Sequence, residues 1–185
     1  MQSFKTELDL NNKQRTLCAR HAGTSRHAYN WGLALCKQLL NHNKNNPTDK
    51  IKFPTAIDLH KLLVASVKVE NPWYYEPSKC APQEALRNLA KAFKRQFQGG
   101  ILRGNNSSAK MPQVVGLKGY PTFQKNNRSV ENNHSGWKLA PNRKSITMTD
   151  KNGIGKLKLM GTRDLNFYSL DQIKRVRLVK RADGY

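Results

Sequence analysis

Acidic residues are scarce in this chain. The 185-residue sequence has 33 Lys and Arg but only 12 Asp and Glu, which gives a formal net charge of +21 at pH 7. A surface that needed only to be soluble would carry balanced charges, so this excess indicates an anionic partner. A nucleic acid fits best, and an anionic membrane or an acidic protein is the alternative.

Long apolar runs are also missing, and only 37% of the residues are hydrophobic. That content still allows one or two small cores, but no stretch approaches the ~20 apolar residues that span a bilayer. Met1–Leu10 alternates apolar side chains with charges, unlike the apolar core of a signal peptide. We therefore expect no membrane partner and a cytoplasmic, nucleoid-associated location.

Cysteine is limited to Cys18, Cys36 and Cys80. Their wide spacing and odd number argue against a disulfide framework and favour reduced thiols that are buried as small apolar side chains. Cys18 and His21 could form half of a zinc site, but no second pair of ligands lies near them in the sequence. We expect no cofactor in this chain.

The chain begins with a pattern of a strand followed by a long helix. Alternation over residues 4–10 predicts a half-buried strand. Asn11 or Asn12 is a suitable N-cap, and the periodicity of residues 13–41 predicts a helix that Gly23 could bend or interrupt.

Two further helices are predicted at residues 55–69 and 82–98, and three helices with short connections indicate a small bundle. Gly99 and Gly100 are expected to end the last one. That helix has an apolar stripe and a basic face. The stripe is Leu86, Leu89, Ala90, Phe93 and Phe97, and the basic face is Arg87, Lys91, Lys94 and Arg95. Like charges repel at this spacing, and a bound polyanion would neutralise them. The basic face therefore predicts contacts to phosphate groups. The alternative is that this face is only a solvated surface.

After Gly119 the pattern changes to short strands and turns. Strands are predicted at residues 137–139, 145–149, 154–160 and 173–180. A small curved sheet that is apolar inside and basic outside is typical of oligonucleotide binding. The additional candidates for contacts to the phosphate backbone are Lys125, Arg128, Lys156, Lys158, Arg163, Arg175 and Arg177.

Two aromatic residues stand beside this basic region, Tyr120 and Phe123. They could stack on unpaired bases, at roughly 1–3 kcal/mol per base. The alternative is that they pack between the helices and the sheet.

Four segments of the chain resemble TnpB (OrfB) proteins, which are transposon-encoded relatives of the type V CRISPR effectors. In chain order they are GTSRHAYNWGL at 23–33, LRNLAKAF at 86–93, GYPTF at 119–123 and IKRVRL at 173–178. Their order matches that of the family across nearly the whole chain. The resemblance adds Arg26 as a residue that can reach nucleic acid.

The resemblance implies an α+β fold, in which a small helical bundle (the recognition lobe) is inserted into an oligonucleotide-binding-like basic β-barrel (the wedge domain). Residues 1–10 would give the first strand of the barrel, and residues 11–100 the helical lobe with its helix-turn-helix-like region. A flexible linker at 101–118 would lead to the rest of the barrel at 119–185.

Full-length TnpB proteins resemble RNA-guided DNA endonucleases with a RuvC-like nuclease domain and a CxxC…CxxC zinc module, neither of which this sequence contains. We expect Mg²⁺ and Zn²⁺ only with those domains. The acids in the strand region are isolated in turns or flanks, and Glu131 and His134 have no third catalytic partner. These isolated acids are Asp150, Asp164, Asp171 and Asp183. We therefore expect no catalysis by this chain.

The end of the chain carries a turn signal, Asp183-Gly184, directly after the last predicted strand. A return strand is expected to follow it, but the sequence stops. This suggests a fragment that ends before the nuclease domain, with an incomplete barrel and a last strand that lacks its hairpin partner.

Two functional hypotheses follow. The first is a nucleic-acid-binding fragment of a TnpB-like protein that binds guide RNA and target DNA without cutting, with a separately encoded nuclease half as a further candidate partner. The second is an autonomous helix-turn-helix protein that represses its own element. A basic barrel distinguishes them, because an autonomous DNA reader does not need one.

Overall fold

The structure is a computed structural model that describes residues 5–102, 121–126, 128–149, 154–160 and 165–181. It has the predicted α+β class, with helices and small antiparallel sheets. The helices are α1 Asn12–Asn45, α2 Ala56–Leu62, α3 Lys68–Glu70 and α4 Cys80–Leu102. The strands are β1 Glu7–Asp9, β2 Ser129–Asn133, β3 Trp137–Leu139, β4 Ser145–Met148, β5 Lys156–Met160 and β6 Arg175–Val179.

Helix α1 is continuous over 34 residues. Asn11 is its N-cap: the Asn11 side chain accepts a hydrogen bond from the Gln14 backbone N–H at 2.9 Å, and Gln14 Oε1 accepts one from the Asn11 N–H at 3.1 Å. This capping box satisfies two backbone donors at the helix start. Gly23 does not interrupt the helix, because a single glycine costs about 1 kcal/mol of helix propensity without removing a hydrogen bond.

The second predicted helix is divided in the structure. Helix α2 begins at the N-cap Thr55, passes into a π-helical turn at Leu63–Val67, and continues as α3. Helix α4 extends past Gly99 and Gly100 to Leu102, so the prediction that these glycines end it was wrong. Glycine weakens a helix but does not forbid one.

The helical core lies between α1, α2 and α4. Leu33, Leu59, Leu63, Leu86 and Leu89 are fully buried in it. Burying a leucine side chain stabilises the fold by about 1.5–3 kcal/mol, so this core fixes which side of α4 faces outward. Phe93 is buried as its stripe predicts, whereas Phe97 is 44% exposed.

The strands form two antiparallel sheets, a four-stranded one in the order β1-β5-β4-β3 and a pair of β2 with β6. The first strand of the chain thus pairs with β5, and Leu8 lies opposite Leu159. One apolar cluster contains residues of both sheets, including Leu8, Val130 and Leu178. Pairing among the described strands does not close a barrel, so the wedge-like barrel and the domain boundaries stay predictions.

Strand β6 has a partner that the sequence analysis missed. All five of its residues pair with β2, from Arg175 opposite Asn133 to Val179 opposite Ser129. The last strand is therefore paired along one edge by an earlier strand, and the absence of a return strand after it stays a prediction. Its partner comes earlier in the chain, and the expected turn at Asp183-Gly184 lies outside the described residues.

Two smaller predictions can be compared with the structure. Cys18, Cys36 and Cys80 are all buried and form no disulfide, and burial raises the pKa of the Cys36 thiol to about 11. In the described part of the chain, no helix is long and apolar enough to cross a membrane.

Gly32 lies where α1 packs against Leu86 and Leu89 of α4, and it gives a first prediction. A Cβ at Gly32 would lie 2.7 Å from Leu86 Cδ2 and 3.0 Å from Leu89 Cδ2, whereas one at Gly23 would have no atom within 4 Å. We expect Gly32→Ala to lower the free energy of unfolding by about 1–3 kcal/mol through overpacking. The matched variant Gly23→Ala should raise it by up to about 1 kcal/mol. Urea denaturation measures both, and equal effects would contradict the packing of α1 on α4.

Candidate nucleic-acid interface

The basic face of α4 consists of Arg87, Lys91, Lys94 and Arg95, and all four are exposed. Arg87 differs from the others because its guanidinium lies 2.6 Å from a carboxylate oxygen of the buried Glu84. Lys91, Lys94 and Arg95 have no ion-pair partner among the described residues. Three such cations, three and four residues apart on one side of a helix, create a local positive potential that attracts a polyanion.

Helix α1 holds the segment 121–126 in place. Asn30 makes two hydrogen bonds with the Gln124 backbone: its Nδ2 donates to the carbonyl oxygen at 3.0 Å, and its Oδ1 accepts from the N–H at 2.8 Å. Arg26 donates from Nη1 to the Lys125 carbonyl oxygen at 3.0 Å. Arg26 and Asn30 therefore anchor backbone, a role that sequence reasoning did not identify.

Phe123 belongs to the segment that α1 anchors. The residue is 48% exposed, and the Lys37 ammonium lies 4.6 Å from the centroid of its ring. A half-exposed aromatic ring beside a lysine can stack on a base while the cation contacts phosphate. Stacking by Phe123 stays a prediction, and Tyr120 lies outside the described residues.

Strand β2 carries Glu131, whose carboxylate contacts two arginines that were predicted to bind phosphate. Glu131 is buried, and its oxygens lie 3.2 Å from the Arg175 guanidinium and 2.7 Å from that of Arg177. Burial alone would raise the pKa of Glu131, but the hydrogen bond and charge of Arg177, the charge of Arg175 and a hydrogen bond with Asn88 together lower it. Both arginines are thus oriented by Glu131, and their side chains remain more than half exposed.

A polar cavity of about 190 Å³ lies where the helices meet the β2–β6 pair. Side chains that line it include Ser25, Tyr29, Glu84, Asn88, Glu131 and Arg177. The two buried carboxylates of Glu84 and Glu131 face this cavity, and they bind Arg87 and the β6 arginines respectively. The carboxylates that hold Arg87 and the β6 arginines therefore line one cavity.

The other predicted contacts are spread along the sheet. Lys125, Arg128, Lys156 and Lys158 are all exposed. Lys158 lies 3.4 Å from the exposed carboxylate of Asp9, and a surface pair of this kind contributes at most about 1 kcal/mol. Lys158 can therefore exchange Asp9 for a phosphate at little cost. Arg163 lies outside the described residues.

The remaining acids that the structure describes do not gather into a metal site. The structure shows no cluster of three or more His, Cys, Asp or Glu that could hold a metal within its described ranges. A hydrogen bond with the nearby Ser169 lowers the pKa of Asp171. Aspartate side chains commonly make such local hydrogen bonds in turns, so this contact is structural. Glu131 lies in strand β2. Asp150, Asp164 and Asp183 lie outside the described residues.

One comparison with known proteins bears on this interface. Residues 1–45 match a family model described as the helix-turn-helix domain of the OrfB_IS605 family. The match supports an N-terminal region of OrfB/TnpB type and indicates DNA binding in a transposase-associated protein. No curated protein matches the chain.

The matched region has one helix in this structure. Its described residues form β1 and α1, and α1 runs without a turn from Asn12 to Asn45. A DNA reader of the helix-turn-helix type needs two helices joined by a turn. Any second helix of such a unit must therefore come from outside residues 5–45.

Proposed function

We propose that this chain is the nucleic-acid-binding part of a TnpB-like protein and binds guide RNA and DNA through the basic face of α4 and the neighbouring arginines of β6. The observation that carries this proposal is that Lys91, Lys94 and Arg95 have no ion-pair partner among the described residues, on a helix whose other side is fixed by the buried core. Such preorganised cations attract phosphates without reading the base sequence.

The autonomous helix-turn-helix repressor is less well supported. In the structure, β1 pairs with β5 from the far end of the sequence, and α1 packs against α4 through Gly32. The N-terminal region therefore shares both of its cores with later segments. A guide-RNA scaffold requires such integration, whereas an independent DNA reader does not.

Competition between RNA and DNA tests the proposal. Fluorescence anisotropy of the full chain with a labelled RNA hairpin should give binding that excess unlabelled duplex DNA displaces, because the two use overlapping cationic surfaces. A random single-stranded RNA of equal length is the control. Binding to duplex DNA with no measurable affinity for the hairpin would instead favour the repressor.

We also propose that the chain does not cut nucleic acid. Two-metal hydrolysis needs several convergent carboxylates, and Glu131 and Glu84 are both engaged by arginine. We expect no nicking of supercoiled DNA with Mg²⁺, with or without added RNA. A Mg²⁺-dependent nick that disappears in Asp164→Asn or Asp183→Asn would refute this.

A further inference from the structure

Four buried polar side chains line the cavity where the helices meet the β2–β6 pair. Ser25 and Tyr29 are only 7% and 9% exposed, and Glu84 and Glu131 only 5% and 9%. Buried polar groups are normally hydrogen-bonded inside the fold. The two carboxylates follow this rule, because an arginine guanidinium lies 2.6 Å from Glu84 and another lies 2.7 Å from Glu131.

The hydroxyls of Ser25 and Tyr29 do not follow it. Neither makes a hydrogen bond with another residue that the structure describes. Burial raises the pKa of Tyr29, so its hydroxyl stays protonated and can both donate and accept a hydrogen bond. The two residues are four apart on α1 and therefore share one face of the helix. Their hydroxyls leave hydrogen-bonding capacity for a molecule in the cavity.

The cavity has room for a flat ring. Its volume is about 190 Å³, whereas a single water needs about 10–15 Å³ and an engineered cavity of about 150 Å³ holds benzene. Ala85 contributes only a methyl group to the wall, and Tyr29 contributes an aromatic side chain. A planar heterocycle that carries hydrogen-bonding groups suits a pocket of this size and lining.

The charges around the cavity disfavour a phosphate group inside it. Glu84 and Glu131 would repel an anion placed between them. Carboxylates that are paired with arginine can only accept hydrogen bonds, so they favour a neutral group that donates them. Arg177 also lines the cavity and supplies donors. Because its side chain is 61% exposed, Arg177 can contact a phosphate outside the cavity at the same time as a group within it.

We propose that this cavity binds an unpaired guanine base of the bound nucleic acid, which rests on the function proposed above. The Watson–Crick edge of guanine has two neighbouring donors that a carboxylate can accept, and O6 and N7 accept hydrogen bonds from arginine. The hydroxyls of Ser25 and Tyr29 add two further partners. Uracil and thymine present two carbonyl oxygens and one N–H, so they satisfy the carboxylates less well. The backbone of the flipped nucleotide stays outside, beside Arg177.

A single unpaired base tests the site on the unaltered chain. One set of labelled RNA hairpins carries a bulged guanine, adenine, cytosine or uracil, and a DNA set carries the corresponding bases with thymine for uracil. All members of a set have the same phosphates, so only the base differs. Fluorescence anisotropy should show about tenfold tighter binding of the guanine bulge than of the uracil or thymine bulge in at least one set. The log–log salt slope should be the same for both.

The outcome of this comparison is decisive. The set that shows the guanine preference identifies the strand that enters the cavity. Equal affinities within both sets would overturn the inference and leave a cavity that holds only water, and a preference for another base would overturn the assignment to guanine.

Removing one hydroxyl at a time tests the residues that contact the base. Tyr29→Phe and Ser25→Ala should each weaken binding of the guanine bulge about three- to tenfold and change binding of the uracil bulge less than about twofold. The control Tyr75→Phe removes a hydroxyl from a residue that is 53% exposed and should leave the guanine preference unchanged. Variants that weaken all hairpins equally, or that behave like Tyr75→Phe, would refute the site.

The stability of these variants separates binding from folding. Since neither hydroxyl has a hydrogen-bond partner in the described part of the chain, Tyr29→Phe and Ser25→Ala should not lower the free energy of unfolding by urea. A loss of stability that accompanies the loss of affinity would show a structural role and contradict the proposal.

The two proposals can fail separately. If the unaltered chain binds every hairpin with the same affinity and a steep salt dependence, the base site is refuted and the proposed function stands. If the unaltered chain binds no nucleic acid, both the proposed function and the base site are refuted.

Discussion

Replacing Lys91, Lys94 and Arg95 together with glutamate is expected to weaken nucleic-acid binding at least about a hundredfold near 0.1 M salt. Each lost phosphate contact removes about 0.7–0.9 from the log–log salt slope, which is close to a factor of five to eight per contact at this salt concentration. Reversal of the charge adds repulsion to that loss. Anisotropy titration with duplex DNA and hairpin RNA measures the change.

The choice of these three residues follows from their contacts. They lie off the buried stripe of α4 and have no ion-pair partner among the described residues, so the fold should survive. Arg87 is left unchanged because a glutamate there would stand beside the buried carboxylate of Glu84.

A matched control changes the net charge by the same amount elsewhere. The triple variant of Lys13, Lys44 and Lys50 to glutamate alters three exposed positions at the two ends of α1 and in the loop after it. It should weaken binding much less, because only long-range attraction is reduced. If the two triple variants lose affinity equally, the face of α4 is a solvated surface and contributes net charge alone.

The second large effect is expected at Glu131. Glu131→Gln removes the charge that holds Arg175 and Arg177 across β2 and β6, and we expect the free energy of unfolding to fall by about 1–3 kcal/mol at pH 7. The control Glu76→Gln breaks an exposed pair with Arg20 at 2.7 Å and should cost less than about 1 kcal/mol. Denaturant titration compares the two.

The pH dependence of that loss has a definite sign. The pKa of Glu131 is lower in the folded state than its ordinary value of 4.5. Its contribution to stability is therefore fully present above that value and is lost as the pH falls through the folded-state pKa. The unaltered chain and Glu131→Gln should converge in stability toward pH 3. A difference that stays constant from pH 7 to pH 3 would show that the carboxylate charge is not what stabilises the β2–β6 pair.

Local patterns in the sequence predict the helical half well. The N-cap at Asn11, the apolar stripe of α4 and the outward basic face all depend on residues within two or three turns of one another. The exceptions are also local: Gly23, Gly99 and Gly100 were given more weight as helix breakers than their modest energetic cost justifies.

Features that depend on distant residues could not be predicted in this way. Strand β2 reads SVENN, which lacks the apolar alternation of a strand, and it is specified by pairing with β6. The contacts of Asn30 with Gln124 and of Glu131 with Arg177 join residues that lie far apart in the chain. The π-helical turn before Lys68 likewise has no signal in the periodicity.

The salt dependence of affinity tests the central claim most directly. Binding of the full chain to a duplex of about 20 base pairs and to an RNA hairpin should be titrated from about 50 to 400 mM salt. We predict a straight log–log plot with a slope of about −2 or steeper, since three or more phosphates contribute 0.7–0.9 each. A flat plot, or equal affinity for a neutral polymer, would show that this chain does not bind nucleic acid through its cations.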